Sequence, residues 1–112
     1  IQFYQRLIDE FVRFGRYCFW INSCPEGSRV SRYDAFKQVE KTTGKTPPDL
    51  VNAPTLSDCH IDVWKAYTTL SVFTYQEIDA YVRLTGKLLT PWEIEAIMTL
   101  SQYRESEPKW PI

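Results

Sequence analysis

Apolar residues in the first twenty positions recur every three or four residues, with polar residues between them. This spacing is typical of an amphipathic helix, and it predicts a first helix from Gln2 to Ile21. The apolar stripe comprises Phe3, Tyr4, Leu7, Ile8, Phe11, Val12, Phe14, Cys18 and Phe19. The run from Tyr17 to Trp20 near its end is apolar on nearly every side. We expect this run to be buried within the fold or against another chain.

A second helix is predicted between Ser31, a good N-cap residue, and Gly44, a good C-terminal stop. It carries Tyr33, Phe36 and Val39. Three prolines then follow within the segment 46–54. Because proline interrupts helix interiors, we expect this segment to be an extended surface connector.

Three further helices are marked by residues that start or stop a helix. The third begins after Ser57 or Asp58 and runs to about Ser71. The fourth runs from Tyr75 to Thr85, between the cap residue Thr74 and Gly86, and the fifth runs from Pro91, after the cap residue Thr90, to about Arg104. The pairs Thr74–Glu77 and Thr90–Glu93 have the spacing of a capping box, and Pro91 suits the first helical position.

These elements predict an all-α protein, a compact bundle of about five short helices. A chain of 112 residues is the size of one domain. We expect an N-terminal helical pair over 1–45, a three-helix unit over 55–104 and an irregular tail over 105–112. Trp110, in that tail, is expected to dock onto the body or onto a neighbour.

Charge is unevenly distributed along the chain. Residues 1–46 carry eight Lys or Arg against five Asp or Glu, and residues 47–112 carry five against nine. Ordinary scatter, head-to-tail contact between copies, or a basic face for an acidic partner would each account for this. The formal net charge of −1 gives no support for a general nucleic-acid binder.

A surface for single-stranded nucleic acid is the alternative that arginines interleaved with aromatic rings would allow. The residues concerned are Arg13, Arg16, Arg29 and Arg32 with Tyr17, Trp20 and Tyr33. The same aromatic residues also satisfy the periodicity of a core, so we interpret them as core with a solvated rim.

Cys59 and His60 are adjacent, and His60 is the sole histidine. With Cys18 and Cys24 they do not have the two short clips of a structural zinc site. We expect isolated, mostly buried thiols and an exposed histidine at a helix start. The sequence predicts no catalytic residues, no metal and no cofactor, and therefore not an enzyme.

Three features of the sequence favour a protein of the cytosol. No run of about twenty apolar residues is present, so no membrane span is expected. Charges interrupt the first segment, unlike a signal peptide, and an odd number of cysteines favours a reducing cytosol. The chain begins with Ile1, so we expect its natural start to lie upstream.

The segment from about 54 to 103 resembles the tail assembly chaperones of long-tailed bacteriophages. In that family, a helix that contains a tryptophan is followed by a helix with the pattern Tyr-x-Glu-Ile-x-Ala-Tyr and by a Leu-x-Gly turn. The last helix begins at a Leu-x-Pro-Trp-Glu motif and continues with an Ile-x-x-Leu motif. Here these read Val63–Leu70, Tyr75–Tyr81, Leu84–Gly86, Leu89–Glu93 and Ile97–Leu100. Residues 1–50 show no counterpart to the family.

The resemblance implies a non-enzymatic protein that binds the tape measure protein before the tail tube protein closes around it. It implies the cytoplasm of the infected bacterial host as location, and a homo-oligomer is compatible with it. Aromatic residues are the expected contacts: Trp64, Tyr67, Tyr81 and Trp92 as core or groove wall, and Trp20 and Trp110 as contact candidates. A small helical virion or host-interaction protein is the alternative.

Overall fold

The computed structural model describes residues 2–111, and every regular element in that range is helical. The elements are α1 (Gln2–Ile21), α2 (Arg32–Thr43), α3 (Pro48–Val51), a 3₁₀ turn (Asp58–His60), α4 (Ile61–Thr69), α5 (Tyr75–Thr85) and α6 (Pro91–Ser101). The predicted all-α class is confirmed, with six α-helices in place of about five.

Side-chain caps start α2 and α5 as the sequence predicts. The hydroxyls of Ser31 and Thr74 each accept a hydrogen bond, at 3.2 Å, from the amide three residues further on. Both helices end at glycines with left-handed backbone, Gly44 at φ 74° and Gly86 at φ 70°. Local sequence signals are therefore sufficient to set the ends of these two helices.

The capping box at α6 is built around a buried carboxylate. The Thr90 amide donates to Glu93 Oε1 at 2.9 Å and the Thr90 hydroxyl donates to the same oxygen at 2.7 Å. Pro91 occupies the first turn, where its missing N–H costs no hydrogen bond. Glu93 is thus a structural residue that holds the start of α6.

The connector at 46–54 differs from the extended segment expected. Pro48 begins the short helix α3, because proline at a first helical position removes no intrahelical hydrogen bond. The third predicted helix starts as a 3₁₀ turn and ends at Thr69, since Leu70 takes an extended conformation. The fifth ends at Ser101 and not at Arg104.

The core forms between α1, α4, α5 and α6, and α1 packs most extensively against α6. It comprises Ile8, Phe11, Val63, Ala66, Tyr67, Ile78, Ala96, Ile97 and Leu100. The closest approach is between α1 and α6 at Gly15. A Cβ atom built there would lie 2.3 Å from a methyl carbon of Leu100, so any residue larger than glycine forces Leu100 or the two helices to shift.

Helix α2, like α3, contributes no buried residue to the core. Phe36 contacts Trp20 at the end of α1, with ring centroids 6.1 Å apart. The radius of gyration of 15.9 Å exceeds the value of about 13 Å expected for a compact chain of this length. The molecule is accordingly elongated, with a longest extent of 48 Å.

The expectation of an exposed His60 is wrong. Its side chain is 1% exposed and lies against Phe11 in the core. Nε2 lies 2.8 Å from the Leu7 carbonyl, which can only accept, so Nε2 carries the proton. Nδ1 then accepts from the Ser57 hydroxyl at 2.8 Å. Both ring nitrogens are satisfied, which is the condition for burying a polar ring.

The expectation of mostly buried thiols is also wrong, because Cys24 and Cys59 are exposed and Cys18 is half-buried. Cys24 lies in the loop after α1 and Cys59 in the 3₁₀ turn, outside the packed helix faces. Burial raises the pKa of the Cys18 thiol to about 11.

Alkylation should therefore separate the three cysteines. At pH 8, a pKa near 11 leaves roughly 100-fold less thiolate than the ordinary value of 9, and the thiolate is the reactive form. We expect iodoacetamide to modify Cys24 and Cys59 well before Cys18, as peptide mass spectrometry would measure. In guanidinium chloride the three rates should converge. Fast modification of Cys18 in the native protein would contradict this arrangement.

Candidate partner-binding site

The six aromatic residues predicted to bind a partner lie in four separate places on the molecule. Tyr67 is buried, and the other five are half-buried. Trp64 and Tyr67 share one aromatic cluster, Trp92 lines a groove beside the first turns of α1, and Trp20 and Trp110 both contact Tyr17. Tyr81 packs against the core from α5. The contacts thus join the predicted residues in small groups.

The aromatic cluster is centred on Tyr67 in α4. Four rings surround the Tyr67 ring, at centroid distances of 4.7 to 6.4 Å: Phe11, Phe19, Trp64 and Phe73. Phe73 and Trp64 are stacked with it, at interplanar angles of 23° and 21°. The i,i+3 spacing of Trp64 and Tyr67 places both rings on one face of α4.

A groove of about 490 Å³ opens beside this cluster, and we call it the Tyr67 groove. Its walls come from the end of α1, the end of α4, the segment after α4 and the C-terminal tail. The residues are Cys18, Phe19, Asn22, Ser23, Trp64, Tyr67, Thr68, Leu70, Phe73, Arg104 and Pro108. Seven of these eleven residues are apolar or aromatic and four are polar, so the groove combines apolar area with polar groups, as binding sites usually do.

Trp92 lines a second groove, of about 530 Å³, between α1 and the start of α6. Tyr4, Ile8 and Pro91 form most of its apolar wall. Trp92 also meets the edge of His60 at a centroid distance of 5.8 Å, which fixes its ring against the core. One wall of this groove is therefore Trp92, which is packed against the core, and another wall is Tyr4, whose side chain is exposed.

Trp110 docks onto the body of its own chain, one of the two alternatives that the sequence left open. Its ring lies 5.1 Å from Tyr17, edge to face, and Arg13 lies over it at 5.1 Å. Tyr17 is buried and donates a hydrogen bond to the Asp49 carbonyl at 2.8 Å. These contacts fasten both α3 and the tail to α1.

Sequence reasoning missed Phe73 and Arg104 as parts of a groove. Arg104 lies over the Phe73 ring at 5.0 Å, and its Nη1 donates to the Ser71 carbonyl at 3.3 Å. Phe73 directly precedes the cap residue Thr74, a position where an apolar residue packs against its own helix. That signal could have identified Phe73, whereas nothing local marks Arg104, whose contact is 33 residues away.

Neither a metal site nor a membrane span is found within residues 2–111. In that range, no group of three or more His, Cys, Asp or Glu is arranged to hold a metal ion. No helix of the described chain has the length and hydropathy needed to cross a membrane. The features that stand out are therefore the apolar grooves.

The fold and the grooves define a small all-α protein with apolar grooves on its surface. The particular family is shown by sequence: the family model described as phage tail assembly chaperone matches residues 39–102, more than half of the chain. The protein belongs to this family. No curated protein and no solved structure matches the chain.

The family match begins at residue 39, whereas the resemblance in the sequence begins at about residue 54. The matched residues include the end of α2 and all of α3, so the expectation that residues 1–50 have no counterpart is wrong for positions 39–50. Helix α1 lies outside the match, yet it contributes Ile8 and Phe11 to the core. The family segment and α1 therefore share one hydrophobic core in this chain.

Proposed function

We propose that this tail assembly chaperone acts by binding the tape measure protein while the phage tail is built. Membership of the family supports the role in tail assembly. The observation that supports polypeptide binding is the aromatic Tyr67 groove, whose wall includes Trp64 and Tyr67. Apolar side chains of a long client would be shielded from water there and kept from aggregating.

The proposed role is non-enzymatic and depends on reversible contacts. The chaperone holds the client in the cytoplasm of the infected host and is displaced when the tail tube protein encloses it. Half-buried aromatic residues suit this role, because they offer large apolar area with little entropy loss on binding. Association of several copies along one client is part of the proposal.

The client test is co-expression with the tape measure protein encoded by the same phage. We expect the tape measure protein to remain in the supernatant with the chaperone and to aggregate without it. An affinity tag on the chaperone should retain the client. Aggregation of the client at the same level with and without the chaperone would contradict the proposed function.

The surface tryptophans give a second test. Trp20→Ala or Trp110→Ala is expected to weaken binding of the client about 30-fold, the usual effect of truncating an aromatic contact worth about 2 kcal/mol. Tyr75→Ala is the control, because Tyr75 is an aromatic residue on α5 that is 66% exposed and is not among the predicted contacts. Equal affinities for all three variants would exclude Trp20 and Trp110 from the interface.

A further inference from the structure

The Tyr67 hydroxyl has no hydrogen-bond partner among the described residues, although Tyr67 is only 5% exposed. Buried polar groups are nearly always paired, and an unpaired one destabilises the free protein. Its ring is held on several sides by Phe11, Phe19, Trp64 and Phe73, so the hydroxyl cannot simply rotate away to water. An orphan donor of this kind in a groove wall points to a ligand.

Arg104 supplies a positive charge close to this hydroxyl. The Arg104 guanidinium lies over the Phe73 ring at 5.0 Å, and Phe73 is stacked on Tyr67 at 4.7 Å. Burial raises the pKa of Tyr67, and the Arg104 charge opposes that rise. Arg104 lines the same groove and is itself exposed. None of the residues that line the groove in the described chain is acidic, so its lining leaves the guanidinium charge unbalanced.

We propose that the Tyr67 groove binds an acidic, apolar segment of the client polypeptide. An aromatic or long aliphatic side chain would enter between Phe19, Trp64 and Leu70. A neighbouring carboxylate, one helical turn away, would accept hydrogen bonds from the Tyr67 hydroxyl and from Arg104. This inference rests on the proposed function and specifies the part of the client that is bound.

Phe73 is stacked on the Tyr67 ring and Arg104 lies over Phe73, and both residues belong to irregular chain rather than to a helix interior. In the proposed complex these two side chains move aside and the hydroxyl reaches the client. Arg104 is linked to the segment after α4 by a hydrogen bond of 3.3 Å to the Ser71 carbonyl. A client carboxylate can replace this weak hydrogen bond of Arg104 with a charge-assisted one. The stronger contact then offsets the free energy lost when Arg104 leaves Ser71.

The decisive variant is Tyr67→Phe, which removes the hydroxyl and keeps the ring. We expect the melting temperature of the free chaperone to rise by a few degrees, because an unpaired buried group is lost. We expect affinity for the client to fall about ten-fold. A purely structural hydroxyl would not produce these opposite changes.

The probe is a set of overlapping peptides of about 20 residues from the tape measure protein of the same phage, measured by fluorescence anisotropy. Arg104→Gln should weaken the tightest peptide about ten-fold, and so should replacing that peptide's Asp and Glu by Asn and Gln. The controls are Arg83→Gln and Tyr75→Phe, which change exposed residues on α5 outside the groove. Both controls should bind as the wild type.

Each other result has a distinct meaning. If the wild type binds no peptide and no full-length client, the proposed function fails. If the wild type and Tyr67→Phe bind the client equally, the proposed function stands and the groove inference is overturned. A lower melting temperature for Tyr67→Phe would show that the hydroxyl has a partner within the chaperone, and this too would overturn the groove inference. Loss of self-association in Tyr67→Phe, measured by sedimentation, would assign the groove to a second copy and overturn it as well.

Discussion

Phe11→Ala is expected to destabilise this protein by about 3–5 kcal/mol, which is a large part of the stability of a small domain. The Phe11 side chain is 0% exposed and lies where α1 meets the other core helices. Its ring is stacked with His60 and meets Trp64 and Tyr67 edge to face. Truncation leaves a cavity among rigid rings that cannot collapse to fill it.

Urea unfolding followed by tryptophan fluorescence would measure this loss as a lower midpoint. Phe3→Ala on the same helix is the control, because Phe3 is 66% exposed and its loss should cost less than about 0.5 kcal/mol. The prediction of a single domain is tested by the same curves, which should show one transition for the wild type. Equal midpoints for the two variants would mean that α1 is not part of the core.

Gly15→Ala is expected to destabilise the protein by about 1–3 kcal/mol, although alanine is the better helix former by about 1 kcal/mol. The added methyl group would lie 2.3 and 2.6 Å from the two terminal carbons of Leu100, which is 0% exposed. Because Leu100 is enclosed by the core, it cannot move aside, and α1 and α6 must separate.

A double-mutant cycle identifies this contact as the cause. Leu100→Ala alone should cost about 2–5 kcal/mol, and the methyl group introduced by Gly15→Ala should then fill part of the cavity left by Leu100. The double variant should therefore be more stable than the sum of the single effects. Arg6→Ala, at an exposed position of α1, is the control for helix propensity. Strict additivity would indicate that Gly15 acts through some other contact.

The ends of the helices were largely predictable, because the groups that set them are close in sequence. Ser31 and Thr74 cap helices within three residues, and Gly44 and Gly86 stop them. The box at Thr74 forms only in part: its hydroxyl accepts from the Glu77 amide, but the Glu77 carboxylate makes no return bond to the Thr74 amide in the described chain. Spacing alone shows that such a bond is possible, and solvent competition decides whether it forms.

The site was less predictable than the fold. Trp64 and Tyr67 were expected as core or groove wall, but the orphan hydroxyl could not be foreseen. It results from four rings that come from α1, α4 and the segment before α5. Arg104 joins the groove through a contact to Ser71, 33 residues away.

Helical periodicity, caps and stop residues thus determined the all-α class and most helix boundaries, because these signals act within one or two helical turns. The motifs over 54–103 indicated the family. Only the tertiary structure decided that His60 is buried, since its partner at Leu7 is 53 residues away. It also decided which aromatic rings share a groove and that Gly15 must remain small. These outcomes depend on how helix faces meet, and local spacing carries no information about that meeting.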